Sequence, residues 1–548
     1  MTAIALCGVS DPAAVRAIAA IARFWDISLD IRADAEGSVA DGIIFGDGSW
    51  QGRLPALVEG RPFLAFAGSG AGDAADSGVP VTFASSPAIP ETLRGRTLFA
   101  IEPTFSAALQ PAASLDDGAR VNGRPIWKIS TNRHGTSLIA ATPPPLLPEE
   151  RRLPEIFNGE TFLHVLPVWL FFRGLAERNA WRPPPLRACM VVDDPNLHRS
   201  SYGSLDYRKI LEFARSRPFH LAVAMVPLDG WWFSSSAARL FRENPGVFSL
   251  QVHGNNHLAG EMALPWSESE RRSLVSQSLR RTAAFENKTK LRVDRVMVPP
   301  HGVCSREMID SLWDAGYEGM NSIRWSLWKH APAATLPPDA FLRPAAMLGR
   351  GLPVISRFRF KSPICRNEIH VAALLGQPII PYGHHPDFSQ GMADVQAAVD
   401  EINALGPVQW LSMRKILETN FEQRTIRDTL QIRLYSRRVQ GAMPTGAARL
   451  QVEFSDSFAE GDSALGISWG TGEASHRSVG RPGEPISLPS GCRFQVCLAA
   501  GSPPEAAAPP FPLHPMVLAR RLASEARDRL SPLAKRLGYL LCRTRKNP

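Results

Sequence analysis

The sequence predicts a mixed α/β protein: a barrel of alternating strands and helices, with an α/β domain before it and a β-sandwich after it. Three patterns carry the prediction. Residues 1–142 alternate short apolar strands with helical or polar stretches, and residues 186–425 repeat that rhythm with longer elements. Residues 426–502 then change to period-two alternation broken by Gly, Ser and Pro.

In the first region the strands read AIALC, ISLDI, GIIF, PFLAFA, VPVTF and TLFAI, and their rhythm implies a largely parallel sheet. GSGAG (68–72) follows a strand, but no amphipathic helix opens after it, so a plain loop is expected rather than a phosphate cradle. Residues 143–185 hold a proline-rich linker and a helix near 155–180. From 186 the strands are RACMVVD, HLAVAMV, FSLQVH, RVMVPP, YEGMNS and QPIIPYG, with helical patterns at 204–216, 234–244, 267–286, 304–315 and 391–405 between them. Repeated βα units of this count suggest a barrel, whose chemistry gathers at the carboxyl ends of the strands. TLQIRLYS, ARLQVEFS, ALGISW, PISLPSG and RFQVCLAA build the sandwich. A proline-rich linker (503–515) and a basic tail (516–548) follow.

Bulk properties narrow the class. With 548 residues, 44% hydrophobic and 21% charged, the chain has the composition of a globular protein of several domains. Its seven cysteines form no Cys-x-x-Cys pair, which argues for a reducing compartment, with Cys492 and Cys497 expected as free thiols. No basic stretch precedes the first apolar run, so the amino terminus reads as a folded domain and a cytoplasmic location is expected. The longest apolar stretch, FLHVLPVWLFF (162–172), is too short to cross a bilayer and contains Pro167. The net charge is +9, but nine Lys/Arg against Glu525 and Asp528 place +7 of it in the tail. Nucleic acid is therefore not an expected partner.

Four predicted strand ends carry unusual polar residues: CMVVDDPN, with Asp193 and Asp194; QVHGNNH, with His253 and His257; VMVPPHG; and IIPYGHHPDF, with His384 and His385. Adjacent carboxylates point in different directions, so one can bind a metal while the other faces a water. A His-x3-His pair on one helical turn brings two imidazoles to the separation a metal ion needs, although a surface helix yields that spacing by chance. Capping, packing or solvated roles account for each cluster taken singly.

Taken in this order, the clusters resemble the polysaccharide deacetylase superfamily, the NodB-homology fold of family 4 carbohydrate esterases. Its motifs run Asp-Asp, His-x3-His, Arg-x-Pro-x-Gly and a late His on a distorted (β/α) barrel. The resemblance covers about 186–425, less than half the chain. It implies Asp193 as general base and Asp194, His253 and His257 as ligands of a divalent ion, with zinc expected. It also implies His384 or His385 as the acid, with His385 preferred because His-Pro occurs there in similar proteins. The backbone N–H of His301 is implied as an oxyanion donor. Two imidazoles and one carboxylate leave open positions on a metal for water and a carbonyl oxygen.

The third motif departs from the pattern. Val298 stands where the family has an arginine, and His301 replaces the usual tyrosine. Arg343, in FLRP, is a candidate to supply the guanidinium, while Asn196 and His198 match no family role. Trp231 and Trp232 follow a strand, where they can stack on a sugar or pack in the core. The leading expectation is a metal-dependent deacetylase acting on a sugar of a surface glycan or its precursor. A hydrolase of a non-sugar amide and a catalytically weakened glycan-binding module are the alternatives.

In the tail, Leu518, Leu522, Ala526, Leu530, Leu533, Leu537 and Leu540 form one apolar stripe, with six Lys/Arg mostly off it. A basic amphipathic helix can lie in a membrane interface; packing on the protein or on a partner helix is the other reading. Pro532 is expected to divide this helix.

Overall fold

The computed structural model describes residues 3–32, 40–46, 50, 58, 60–67, 78–101, 115–176, 180–328, 340–454, 464–471, 474–498, 511 and 515–544, with side chains in the last helix described to 530. GSGAG (68–72) lies outside the described residues. The chain forms two compact units: Met1–Arg182 with Pro337–Arg343 and Pro363–Leu375, and the remainder.

The first unit is built on a nine-stranded sheet. One half, running from Ser28–Arg32 through Ala3–Cys7, Gly42–Phe45 and Phe63–Phe66 to Gly135–Ala140, is parallel. The other half is antiparallel, so the sheet is mixed rather than largely parallel. The difference lies in Asp116–Val121, Arg124–Asn132 and Gly135–Ala140, a meander whose first turn is Asn122-Gly123, both at positive φ. An Asn-Gly pair with two positive φ values fits a tight hairpin turn, which forces antiparallel pairing.

The second unit carries the polar clusters. Its larger sheet places Leu352–Ser356, Gly319–Ser322, Val293–Val298, Phe248–His253, Leu221–Met225, Met190–Asp193 and Pro381–His384 side by side in parallel. The strands are buried along almost their whole length, as expected where helices cover a parallel sheet. One segment, Leu352–Arg359, joins both ends of this sheet. Arg357 N donates to Ser322 O (3.1 Å) on one side and Phe358 N to Ile380 O (3.2 Å) on the other. The sheet thus curls back on itself as a barrel-like layer in a mixed α/β unit. Local signals set its helices. Ser267 and Glu270 form a capping box at the start of Glu268–Thr289, and Lys290 ends that helix in the left-handed region.

Two four-stranded sheets follow, packed over a core that includes Leu430, Ile432, Val452, Ile467 and Val496. Cys492 and Cys497 are free thiols. The last element is one helix, Pro515–Thr544, which continues through Pro532 rather than dividing there. Among the described residues no helix is long and apolar enough to cross a membrane.

Candidate metal centre and active site

The His-x3-His pair does not sit on a helix. His253 is the last residue of the strand Phe248–His253, and the chain then turns through Gly254 at φ 61°. A Cβ at Gly254 would come within 2.5 Å of a Glu261 oxygen and 2.6 Å of Pro300, so only glycine fits there. The loop is held from below by the fully buried Glu261. Its carboxylate accepts the backbone N–H groups of Asn255 (2.8 Å), Asn256 (2.8 Å) and His257 (3.3 Å). Burial pushes the Glu261 carboxyl up, and these three donors offset only part of that shift. Arg281 adds bonds to the Asn255 and Asn256 side-chain oxygens at 2.7 Å each. A strand end and a tied loop therefore do what a helical turn was expected to do.

The two imidazoles converge on Asp194. Its Oδ1 is 2.9 Å from His257 Nε2 and 3.3 Å from His253 Nε2. That oxygen is buried, yet it has no hydrogen-bond partner of acceptable geometry. His253 Nδ1 lies 2.9 Å from the Val298 carbonyl, so Nδ1–H donates there and the Nε2 lone pair is left toward Asp194. One ligand atom from each residue falls within 4.8 Å of the others. An unpartnered buried carboxylate oxygen beside two imidazole nitrogens is the donor set of a divalent ion, zinc among several. The residues fit the metal.

Asp193, on the neighbouring position, is clamped. Arg357 donates through Nη1 to Oδ1 (2.7 Å) and through Nη2 to Oδ2 (2.8 Å), and both side chains are buried. The guanidinium also lies 4.2 Å over the Tyr382 ring. Burial raises the Asp193 carboxyl, but the Arg357 guanidinium opposes that push, and the group stays below its ordinary range. Arg357 thus stands where the arginine missing at Val298 was needed. Arg343 does not: it belongs to the first unit, where it donates to the Phe24 carbonyl (2.9 Å) and covers the Phe24 ring.

The late histidines diverge. His384 pairs with Asp193 in the sheet register. His385 is buried against Tyr202 (rings 5.1 Å apart) and against Gly203, with its Nε2 3.7 Å from Asp528. His301 sits in the left-handed region (φ 59°) before Gly302, its exposed ring 5.5 Å from that of His257. Trp231 and Trp232 are not core residues. They are exposed, with ring centroids 5.8 and 5.1 Å from His198.

The C-terminal helix reaches the same region. Arg521 Nη2 and Nε bond to Asp229 at 2.6 and 3.0 Å, and Nη2 also meets the Asp194 carbonyl (3.3 Å). Glu525 bonds to His198 (2.8 Å), and Arg529 to the Asn196 side-chain oxygen (3.1 Å). Asn196 and His198, without a role in the sequence, anchor this helix. Arg357, Glu261 and Asp229 were not singled out; for Asp229 and Glu261 the signal available was their place a few residues past predicted strand ends, and for Arg357 there was none.

Neither a family model nor a curated relative matches the sequence. Among solved structures the chain is similar to Agd3, described as a novel carbohydrate deacetylase (9% identity, 91% of this chain and 99% of that one, TM-score 0.48). It is also similar to the family 4 esterase domain of a multidomain xylanase from the hindgut metagenome of Trinervitermes trinervoides (13% identity, 43% of this chain and 95% of that one, TM-score 0.27). A family 4 carbohydrate esterase from Streptomyces lividans gives 12% identity, 41% and 88% coverage and a TM-score of 0.24. With every TM-score at 0.48 or below, these likenesses do not assign an activity, which has to rest on the side chains themselves.

Proposed function

We propose that the protein is a metal-dependent hydrolase that removes an acyl group, typically N-acetyl, from a sugar of a surface glycan or its precursor. What supports this reading is the buried, unpartnered Asp194 Oδ1 facing His253 Nε2 and His257 Nε2, with the clamped Asp193 beside it. Asp194, His253 and His257 would hold a divalent ion, with zinc expected from the donor set. Such an ion, when bound, polarises a carbonyl oxygen and lowers the pKa of water. Asp193, kept ionised by Arg357, accepts the proton of the attacking water. His385 donates to the departing amine, and the His301 N–H faces the developing oxyanion. Trp231 and Trp232 offer exposed indole faces to a sugar ring. A binding-only module was favoured by the arginine absent at Val298, and Arg357 removes that reason.

Acetate release from N-acetylated hexosamine oligomers tests the reading. Zinc-loaded protein should release acetate, chelated protein should not, and added zinc should restore the rate. His385→Ala should lose more activity than His384→Ala; the reverse order would move the acid role to His384. Release from simple amides but from no acetylated glycan would exclude the sugar.

A further inference from the structure

The C-terminal helix sorts its side chains in an unusual way. Its polar face is turned inward: Arg521 (7% exposed) pairs with Asp229 (3% exposed), Glu525 with His198, and Asp528 lies against His385 and Tyr202. Its leucines are turned out, with Leu522 50% and Leu530 59% exposed. The pattern is the reverse of a helix packed on a globular core, where the apolar stripe is buried. The stripe therefore does not pack back on the protein over residues 515–530.

Charge is sorted as well. Among the exposed positions of 515–530 the charged residues are Arg520 and Arg527, while both acids, Glu525 and Asp528, are turned in. Beside Leu518 and Leu522 runs an apolar groove of about 620 Å³, bounded by Leu228 and the exposed Trp231 and edged by Arg281 and Lys288. The outer surface at this end of the barrel thus presents leucines, a tryptophan and cations.

We propose that this outward face is a docking surface for an anionic lipid bilayer, which would seat the metal centre at the lipid–water boundary. Charge complementarity selects the occupant. Exposed leucines and an exposed indole enter an interfacial layer, and cations of one sign beside them meet acidic headgroups. A neutral sugar would use the indoles but has no use for the leucine face or the arginines. The inference does not depend on the hydrolase reading, since lipid binding needs neither metal nor substrate.

Flotation of the full-length protein with vesicles tests it. The protein should float with phosphatidylglycerol-containing vesicles at low salt, should lose most of that binding at high salt, and should not float with pure phosphatidylcholine. Leu518→Glu/Leu522→Glu and Arg520→Glu change outward side chains and leave in place Arg527, which pairs with Asp528 (2.9 Å), so their circular dichroism and melting temperatures should match wild type. Each should lose at least tenfold in the bound fraction at limiting lipid. Four results would overturn the proposal: no flotation, equal flotation on neutral vesicles, a folded leucine variant that floats like wild type, or a wild-type dimer that this variant converts to monomer. The last would assign the stripe to a second copy of the chain.

Discussion

Asp193→Asn should keep the bound metal and lose about two to four orders of magnitude in kcat, the usual cost of removing a general base. The substitution leaves Asp194 and both imidazoles in place, and the new amide oxygen can still accept from Arg357. It removes the site that receives the proton. Because Arg357 is buried against Asp193, the variant should also be less stable, by roughly 3–5 kcal/mol if the guanidinium finds no other partner. Rates are therefore to be compared well below the melting temperature, with metal content measured on the same samples. An Asp193→Asn enzyme with wild-type kcat would remove Asp193 from the mechanism.

Replacing Arg357 should have the next largest effect. Its bidentate geometry both aims Asp193 and keeps it charged, which a lysine reproduces only in part. Arg357→Lys should fold and lose about tenfold to a hundredfold in kcat/KM, and Arg357→Ala should lose more, along with stability. The pH profile separates aim from folding. Arg357 opposes the upward push of burial on Asp193, so its removal raises that carboxyl's pKa. Since the base must be ionised, the acid limb of kcat/KM should move to higher pH in the lysine variant and further in the alanine variant. An unmoved limb would make Arg357 a purely structural partner.

Several parts of this site were legible in the sequence. Apolar runs ending in Asp-Asp, His and His-His marked the carboxyl ends of parallel strands, and Asp193, Asp194, His253, His257 and His384 do lie at or next to such ends. Three parts were not. The His-x3-His spacing suits a helical turn and a loop equally; only Glu261 gathering three backbone N–H groups selects the loop. Arg357 was hidden because Leu352–Arg359 was not read as a strand, and nothing local shows that this segment bonds first to Ser322 and then to Ile380. The orientation of the tail was hidden for a similar reason. An apolar stripe normally predicts the buried face, but Asp229, His198 and Asn196, far away in sequence, provide polar partners that turn the helix over. In the first unit the Asn122-Gly123 hairpin signal was present but was outweighed by the βα rhythm around it.

The account depends most on Asp194, His253 and His257 acting together on one ion. Elemental analysis of protein purified without added chelator, set beside His253→Ala and Asp194→Ala prepared identically, measures that directly. Wild type should hold about one divalent ion per chain, and each variant should retain only a small fraction of it, because a three-ligand site rarely survives the loss of one ligand. Equal metal content in wild type and both variants, with all three folded, would contradict the metal centre and the hydrolase reading built on it.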